Sequence, residues 1–231
     1  MKIHIFYSHY NVTGTDNKVR PYWFDYEKCF INLLNTIEGK DIDLHLIMDG
    51  KIEDNWVKKY QDRYISHEIT GGNMRDAGWQ MFKIALDLDT IQDDDLIYFL
   101  ENDYLHVDNW DEYVLDIFSC FEGLNYLTLY DHNDKYFLPL YDDLTSKIFV
   151  SNKCHWRTTP STCGSFIVLK KLWKEDYNFH VSLEGDHNKW LAISEEKSRF
   201  ILSPIPGLST HCMEGLLSPT INWEKINHET I

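Results

Sequence analysis

The chain of 231 residues is 43% hydrophobic and 15% aromatic, enough to build a substantial core, which excludes a globally disordered chain. Its net charge of −15, from 37 acidic against 22 basic residues, argues against broad nucleic-acid binding and against an electrostatic membrane anchor, since both need a basic surface. Eight Trp and fourteen Tyr supply amphipathic rings that suit sugar stacking, although core packing with a polar tip is their commoner use.

In chain order, Ile3 to Tyr7 is a short apolar run, a buried strand that gives way to polar Ser8-His9-Tyr10-Asn11. A loop through Gly14 and Asp16 reaches Pro21, a residue that opens helices. Trp23, Tyr26, Phe30, Leu33, Leu34 and Ile37 then recur at helical spacing up to Gly39. Asp43 to Met48 alternates as a second strand, closed by Asp49-Gly50, and Tyr64 to Ile69 reads as a third. Asn73, after Gly71-Gly72, is a good N-cap for the helix carrying Met74, Ala77, Met81, Phe82, Ala85 and Leu88.

A turn at Asp93-Asp94-Asp95 precedes a fourth strand, Leu96 to Leu100, which runs directly into Glu101-Asn102-Asp103. Another helix follows, capped by Asp108 or Asn109, with Trp110, Tyr113, Val114, Ile117, Phe118 and Phe121 on one face. Tyr126 to Tyr130 is a fifth strand, and residues 131–162 read as a long loop with short strands. Ser165 to Leu169 is a further strand. Two short helices near 170–178 and 187–196, a strand near 199–202 and an irregular tail complete the chain. Strand and helix alternate through the first half, which predicts an α/β fold with a mostly parallel central sheet flanked by helices. With no repeat or linker, 1–231 reads as one domain.

Cys29, Cys120, Cys154, Cys163 and Cys212 are scattered, odd in number and contain no C-x-x-C, the pattern of reduced intracellular thiols rather than of a disulfide framework. Cys154, His155, Cys163, His211 and Cys212 match no usual zinc spacing. The N-terminus reads straight into a strand rather than a signal peptide, and no apolar run approaches the ~20 residues of a membrane span. A cytoplasmic protein is expected.

Parallel sheets bind ligands where the carboxyl ends of their strands open into loops, and the polar clusters fall there. Glu101-Asn102-Asp103 is the most informative. Two carboxylates two residues apart on an extended chain face one side and can share a hard divalent cation that bridges nucleotide phosphates; the alternative is an ordinary acidic loop. Asp49 is placed to accept from a uracil-type base or a ribose hydroxyl, or is simply a turn Asp before Gly. Gly71-Gly72-Asn73 offers backbone N–H groups at a helix start. Arg75 in that first turn opposes the helix dipole unless an anion lies nearby. Tyr7, Ser8 and Asn102, at the same strand ends, join Asp49, Asn73 and Arg75 as candidate nucleotide-binding residues.

This order of strand, Asp-Gly, strand, Gly-Gly-Asn helix and then Ile97-Tyr98-Phe99-Leu100-Glu101-Asn102-Asp103 resembles the nucleotide-binding half of GT-A fold glycosyltransferases, closest to the family-2-like inverting group, whose acidic motif is usually Asp-x-Asp. Glu101 stands at the first acidic position with a longer arm, so Asp103 is the firmer ligand. Thr162 to Val168 resembles the acceptor-side segment of such enzymes. Glu184-Gly185-Asp186-His187 resembles the acidic pair that carries their catalytic base, with Asp186 the first choice and Glu184 the rival. Pro206 to His211 resembles the late loop from which some of them supply a histidine to the metal.

The resemblance implies a GT-A-like, Rossmann-like fold with a donor half at 1–105 and an acceptor half with closing tail at 106–231. It implies metal held by Glu101, Asp103 and His211, with Mn²⁺ or Mg²⁺ as cofactor; an imidazole ligand tilts the preference to manganese. The implied reaction moves a sugar from a nucleoside-diphosphate sugar, UDP-linked, to an acceptor hydroxyl with inversion. A glycan is the expected acceptor; a protein, a lipid-linked sugar and a modified nucleobase stay open. Two rivals remain. A sugar nucleotidyltransferase would favour a basic, glycine-rich segment after the first strand, and Tyr7 to Asn17 has no lysine or arginine. A noncatalytic nucleotide- or carbohydrate-binding module would be a decayed transferase.

Overall fold

A computed structural model describes residues 1–10, 17–53, 55–183 and 185–231. In chain order the elements are β1 (Ile3–Tyr10), α1 (Tyr26–Thr36), β2 (Ile42–Asp49), α2 (Asn55–Lys58), β3 (Ile65–Ile69), α3 (Met74–Asp87), β4 (Leu96–Glu101) and β5 (Tyr104–His106), then α4 (Trp110–Cys120), β6 (Tyr126–Leu127), β7 (Ile148–Val150), β8 (His155–Thr159) and β9 (Phe166–Leu169). They end with α5 (Lys170–Ser182), α6 (Asp186–Lys197), β10 (Ile201–Ile205), β11 (Ser209–His211) and α7 (Trp223–Glu229). Nine strands form one sheet in the order β3-β2-β1-β4-β9-β6-β10-β8-β7. β3, β2, β1 and β4 are parallel neighbours, as are β6 and β10. β9 runs against β4 and β6, and β8 runs against β10 and β7. The sheet is thus mostly parallel in strand direction, as the sequence predicts.

Period-two alternation divides the core into two layers. Ile3, Ile5 and Tyr7 of β1, with Leu96, Tyr98 and Leu100 of β4, pack under α1 and α4 against Phe30, Leu33, Trp110 and Val114. Phe6, Ile97 and Phe99 face the other way, toward Ala77, Met81 and Phe82 of α3 and toward Trp173 and Trp190 of α5 and α6. Apolar side chains on both faces of one strand account for its near-continuous apolar run.

Helix ends follow capping chemistry. Asn73 accepts a hydrogen bond from Asp76 N at 3.0 Å, as expected of an N-cap. The first helix starts later than Pro21 suggests: Asp25 is its cap, accepting from Glu27 N at 2.8 Å, while Pro21 O accepts from Phe24 N in a turn. Three elements carried no usable periodicity, namely the three-residue strands β5 and β11 and helix α7 in the tail. β5 and β11 pair antiparallel as a separate two-stranded sheet, with His211 opposite Tyr104. Among the described residues no helix is long and apolar enough to cross a membrane.

Candidate active site

The small β5–β11 sheet sits where β4 ends and determines what Asp103 meets. β4 stops at Glu101, Asn102 and Asp103 form a turn, and β5 begins at Tyr104. Pairing of β11 with β5 then brings His211 over the turn. Cys212 N donates to Asp103 O at 2.9 Å, and the His211 ring stacks on Tyr104 at 5.1 Å between centroids, 8° from parallel. His211 Nε2 lies 3.0 Å from Asp103 Oδ2. Glu101, Asp103 and His211 each offer a ligand atom, all within 4.8 Å of one another. A turn and a cross-strand pair bring them together, rather than the side-chain parity of an extended chain.

Two cations are already there. Lys18 Nζ is 2.7 Å from Asp103 Oδ2, 3.4 Å from Glu101 Oε2 and 3.1 Å from His211 Nε2. The Arg20 guanidinium lies 2.9 Å from Asp103 Oδ2, donates to Cys212 O at 2.8 Å and to the Tyr26 hydroxyl at 3.0 Å, and covers the Phe24 ring at 4.4 Å. Neither residue was among the sequence candidates. The signal was a Lys-x-Arg pair shortly after the first strand of an acidic chain.

Asp103 is 1% exposed. Burial works against its charge, but His211 and Lys18 hold the carboxyl far below the usual carboxylate range. Burial and the Asp103 charge push the Glu101 carboxyl above its ordinary value, against the pull of Lys18. Burial likewise opposes the Lys18 ammonium, yet the Asp103 and Glu101 charges raise its pKa overall. Asp103 Oδ1 is buried with no hydrogen-bond partner among the described residues, a lone pair left for a further ligand. Two carboxylate oxygens and one imidazole nitrogen, with that orphaned oxygen, fit a divalent cation of Mn²⁺ or Mg²⁺ type. Lys18 Nζ stands where such an ion would be shared, so it must give way for one to enter.

The corner opens into a cleft of about 900 Å³. Ser8, Glu101 and Asn102 line it at the strand ends, the start of α3 from Gly72 through Asn73 to Trp79 forms one wall, and Cys163, Gly164, Asp186, Lys189 and Trp190 form the other. Asp49 Oδ1 accepts from Gly71 N at 2.7 Å and Gly72 N at 3.4 Å, which fastens the end of β2 to the turn before α3. Gly71 is required there, because a Cβ would lie 2.5 Å from Ala77 N. Arg75 stacks its guanidinium 5.0 Å over Trp79 on the same wall. Asp186 opens α6 and lies 3.2 Å from Lys189 Nζ.

The structure therefore gathers Ser8, Asp49, Asn73, Arg75, Glu101, Asn102 and Asp186 around one cleft, with Asp103 and His211 buried beside Glu101, the one of the three that lines it. Tyr7 is the exception. Its position in the alternation of β1 turns it into the α1 layer, fully buried, with its hydroxyl donating to Asn102 O at 3.1 Å. It supports the acidic turn from below and does not line the cleft. Glu184 lies outside the described residues. The cysteines do not gather around zinc either: Cys212 packs 4.0 Å from Cys29, while His211 turns to Asp103.

No protein-family model matches the sequence, and no curated protein matches it at a significant level. Solved structures do match in shape. A CMP:2-keto-3-deoxy-manno-octonic acid synthetase complexed with CTP superposes with a TM-score of 0.52 at 10% identity, over 90% of this chain and 92% of its own. The 4-diphosphocytidyl-2C-methyl-D-erythritol synthase of Anaerococcus prevotii matches with 0.52 at 10% identity, over 98% of this chain and 95% of its own. A putative nucleotide-diphospho-sugar transferase from Desulfovibrio desulfuricans matches with 0.51 at 12% identity, over 88% and 80%. At such identities the likeness is one of fold. The chain has the GT-A-like α/β fold found in these nucleotide- and nucleotide-sugar-handling proteins.

Proposed function

We propose that the chain is a transferase acting on a nucleoside-diphosphate sugar and, more finely, a glycosyltransferase that passes the sugar to an acceptor hydroxyl with inversion. The observation that carries this reading is the convergence of Glu101, Asp103 and His211 on one point at the inner end of a cleft of about 900 Å³. These three residues would hold Mn²⁺ or Mg²⁺. When bound, such an ion supplies positive charge against the departing diphosphate. Residues 1–105 form the donor half of this unit and 106–231 the acceptor half.

The chain's own groups have distinct tasks. The α3 wall, with Asn73 and Arg75, orients the nucleotide and its phosphates. Lys18, which lines the cleft, answers diphosphate charge when an ion takes its place at the acidic corner. Asp186 takes the proton of the acceptor hydroxyl as that oxygen bonds to the anomeric carbon and the bond to the diphosphate oxygen breaks. Trp79, half-buried on the α3 wall, supplies a ring for the sugar or acceptor.

A second reading, a sugar nucleotidyltransferase, is favoured by one observation. The basic residues that seemed to be missing after the first strand stand just beyond that stretch, and Lys18 and Arg20 reach the acidic corner. There they would face a nucleoside triphosphate. Incubation with UDP-sugars plus acceptors, and separately with CTP or UTP plus sugar phosphates, followed by phosphorus NMR, separates the readings. Release of UDP with a new glycosidic bond is expected. Pyrophosphate release would transfer the assignment to the second reading, and saturable nucleotide binding without turnover would indicate a noncatalytic module.

A further inference from the structure

At the opposite end of the parallel strands, on the α3 face of the sheet, a second set of ligating groups converges. His4 of β1 is paired with Asp43 of β2, and His45 follows one step along the same face. These three residues offer ligand atoms that all lie within 4.8 Å of one another. His4 and His45 are each 3% exposed, deep enough that their nitrogens need partners.

The partners present cover only part of that need. His45 Nδ1 lies 3.0 Å from His67 Nε2, and the ring is stacked on Phe6 at 4.6 Å, but His45 Nε2 is buried with no hydrogen bond. Neither nitrogen of His4 makes a well-aligned hydrogen bond. Its Nε2 stands 3.6 Å from Asp95 Oδ2 and its Nδ1 3.3 Å from Asp43 Oδ2. Asp95 is itself fixed by Lys2 N at 2.7 Å and Gln92 N at 2.9 Å.

Ligating imidazoles in protein metal sites are commonly steered through the second nitrogen; His67 does this for His45, and Asp95 Oδ2 stands 3.6 Å from the second nitrogen of His4. We propose that His4, Asp43 and His45 form a binding site for a divalent transition-metal ion with the ligand preferences of zinc. Two imidazoles and a carboxylate suit such an ion better than Mg²⁺ or Ca²⁺. Asp43 has a side chain 34% exposed, giving a route from solvent. The ammonium of Lys2, 2.8 Å from Asp43 Oδ1, competes with the ion for that carboxylate. The site is separate from the cleft and does not depend on the reaction proposed there.

Titration of the full-length protein with Co²⁺, followed by its visible d–d absorption and back-titrated with Zn²⁺, tests this directly. A Zn²⁺-displaceable equivalent is expected in the wild type and in His211→Gln. In the His211→Gln background its affinity should fall at least ~10-fold in Asp43→Asn and in His45→Gln, and rise in Lys2→Met. Asp43→Asn keeps the proposal testable if the buried His45→Gln fails to fold, since that carboxylate is partly exposed and nearly isosteric with its replacement. Absence of the equivalent from the wild type, its loss in His211→Gln, or its survival unchanged when Asp43→Asn is added to His211→Gln would overturn the assignment.

Discussion

The two sides of the cleft are built on opposite principles. At the inner corner, Asp103 is 1% exposed and held by Lys18, Arg20 and His211. At the rim, the Asp186 side chain is 43% exposed, and its only described ion pair is with Lys189, one turn along its own helix. The carboxylates of Glu101 and Asp103 are matched in number by the cations of Lys18 and Arg20 before any ion or ligand arrives. The rim instead offers a carboxylate, the start of α3 and the Arg75–Trp79 stack to whatever enters. Charge–charge energies grow as water is removed, so ionic contacts at the corner are stronger than those at the wetter rim.

Substitution at the corner should have the largest effect, because it strikes stability and binding together. Asp103→Asn leaves the Lys18 and Arg20 cations without their shared carboxylate. Breaking a buried pair costs about 3–5 kcal/mol, so urea denaturation should show a loss of that size along with lost metal affinity. A fold as stable as the wild type would mean that the corner does not hold its charges as described.

At the rim the effect should be confined to rate. Asp186→Asn should lose about 10²–10⁴ in turnover with an unchanged melting temperature, because Gly185 is the N-cap position of α6 and no side-chain cap bond is made there. Near-normal turnover would reject Asp186 as the base, and retained anomeric configuration in the product would reject a single displacement.

Two smaller changes sharpen the contrast. Lys18→Met removes the ammonium that competes for the three ligands, so Mn²⁺ affinity should rise by about 10-fold. An unchanged affinity would show that Lys18 does not occupy the metal's place. Gly164→Ala would set a Cβ 2.5 Å from Glu101 Oε1, the far end of a flexible side chain. It should therefore weaken Mn²⁺ binding a few-fold without unfolding the protein, and calorimetry beside a thermal melt would show both.

The long elements were legible because their signals are local. The apolar runs of β1 and β4 and the Asn73-capped periodicity of α3 could be seen within a few residues, and the strand ends placed Asp49, Gly71 to Arg75 and Glu101 to Asp103 near one another. At the inner corner the Glu101 and Asp103 pair was legible from its spacing, and His211 only through resemblance. His211 meets Asp103 across 108 residues of sequence, through two three-residue strands too short to show periodicity. Tyr7 was misplaced because an apolar run buried on both faces does not reveal which way each side chain points. Lys18 and Arg20 were missed because their acidic partner Asp103 lies more than 80 residues away in sequence, and a basic pair in a loop has no local signature of burial.

In the proposed function, Glu101, Asp103 and His211 hold a divalent cation that a nucleoside diphosphate shares. Calorimetric titration of UDP into the wild-type protein, with and without saturating Mn²⁺, tests it most directly. Linkage requires that an ion shared with the diphosphate strengthen UDP binding and that UDP strengthen Mn²⁺ binding by the same factor. A reciprocal gain of at least ~10-fold is expected, abolished or strongly reduced in His211→Gln. UDP binding that is indifferent to Mn²⁺, or a gain that survives intact in His211→Gln, would contradict it.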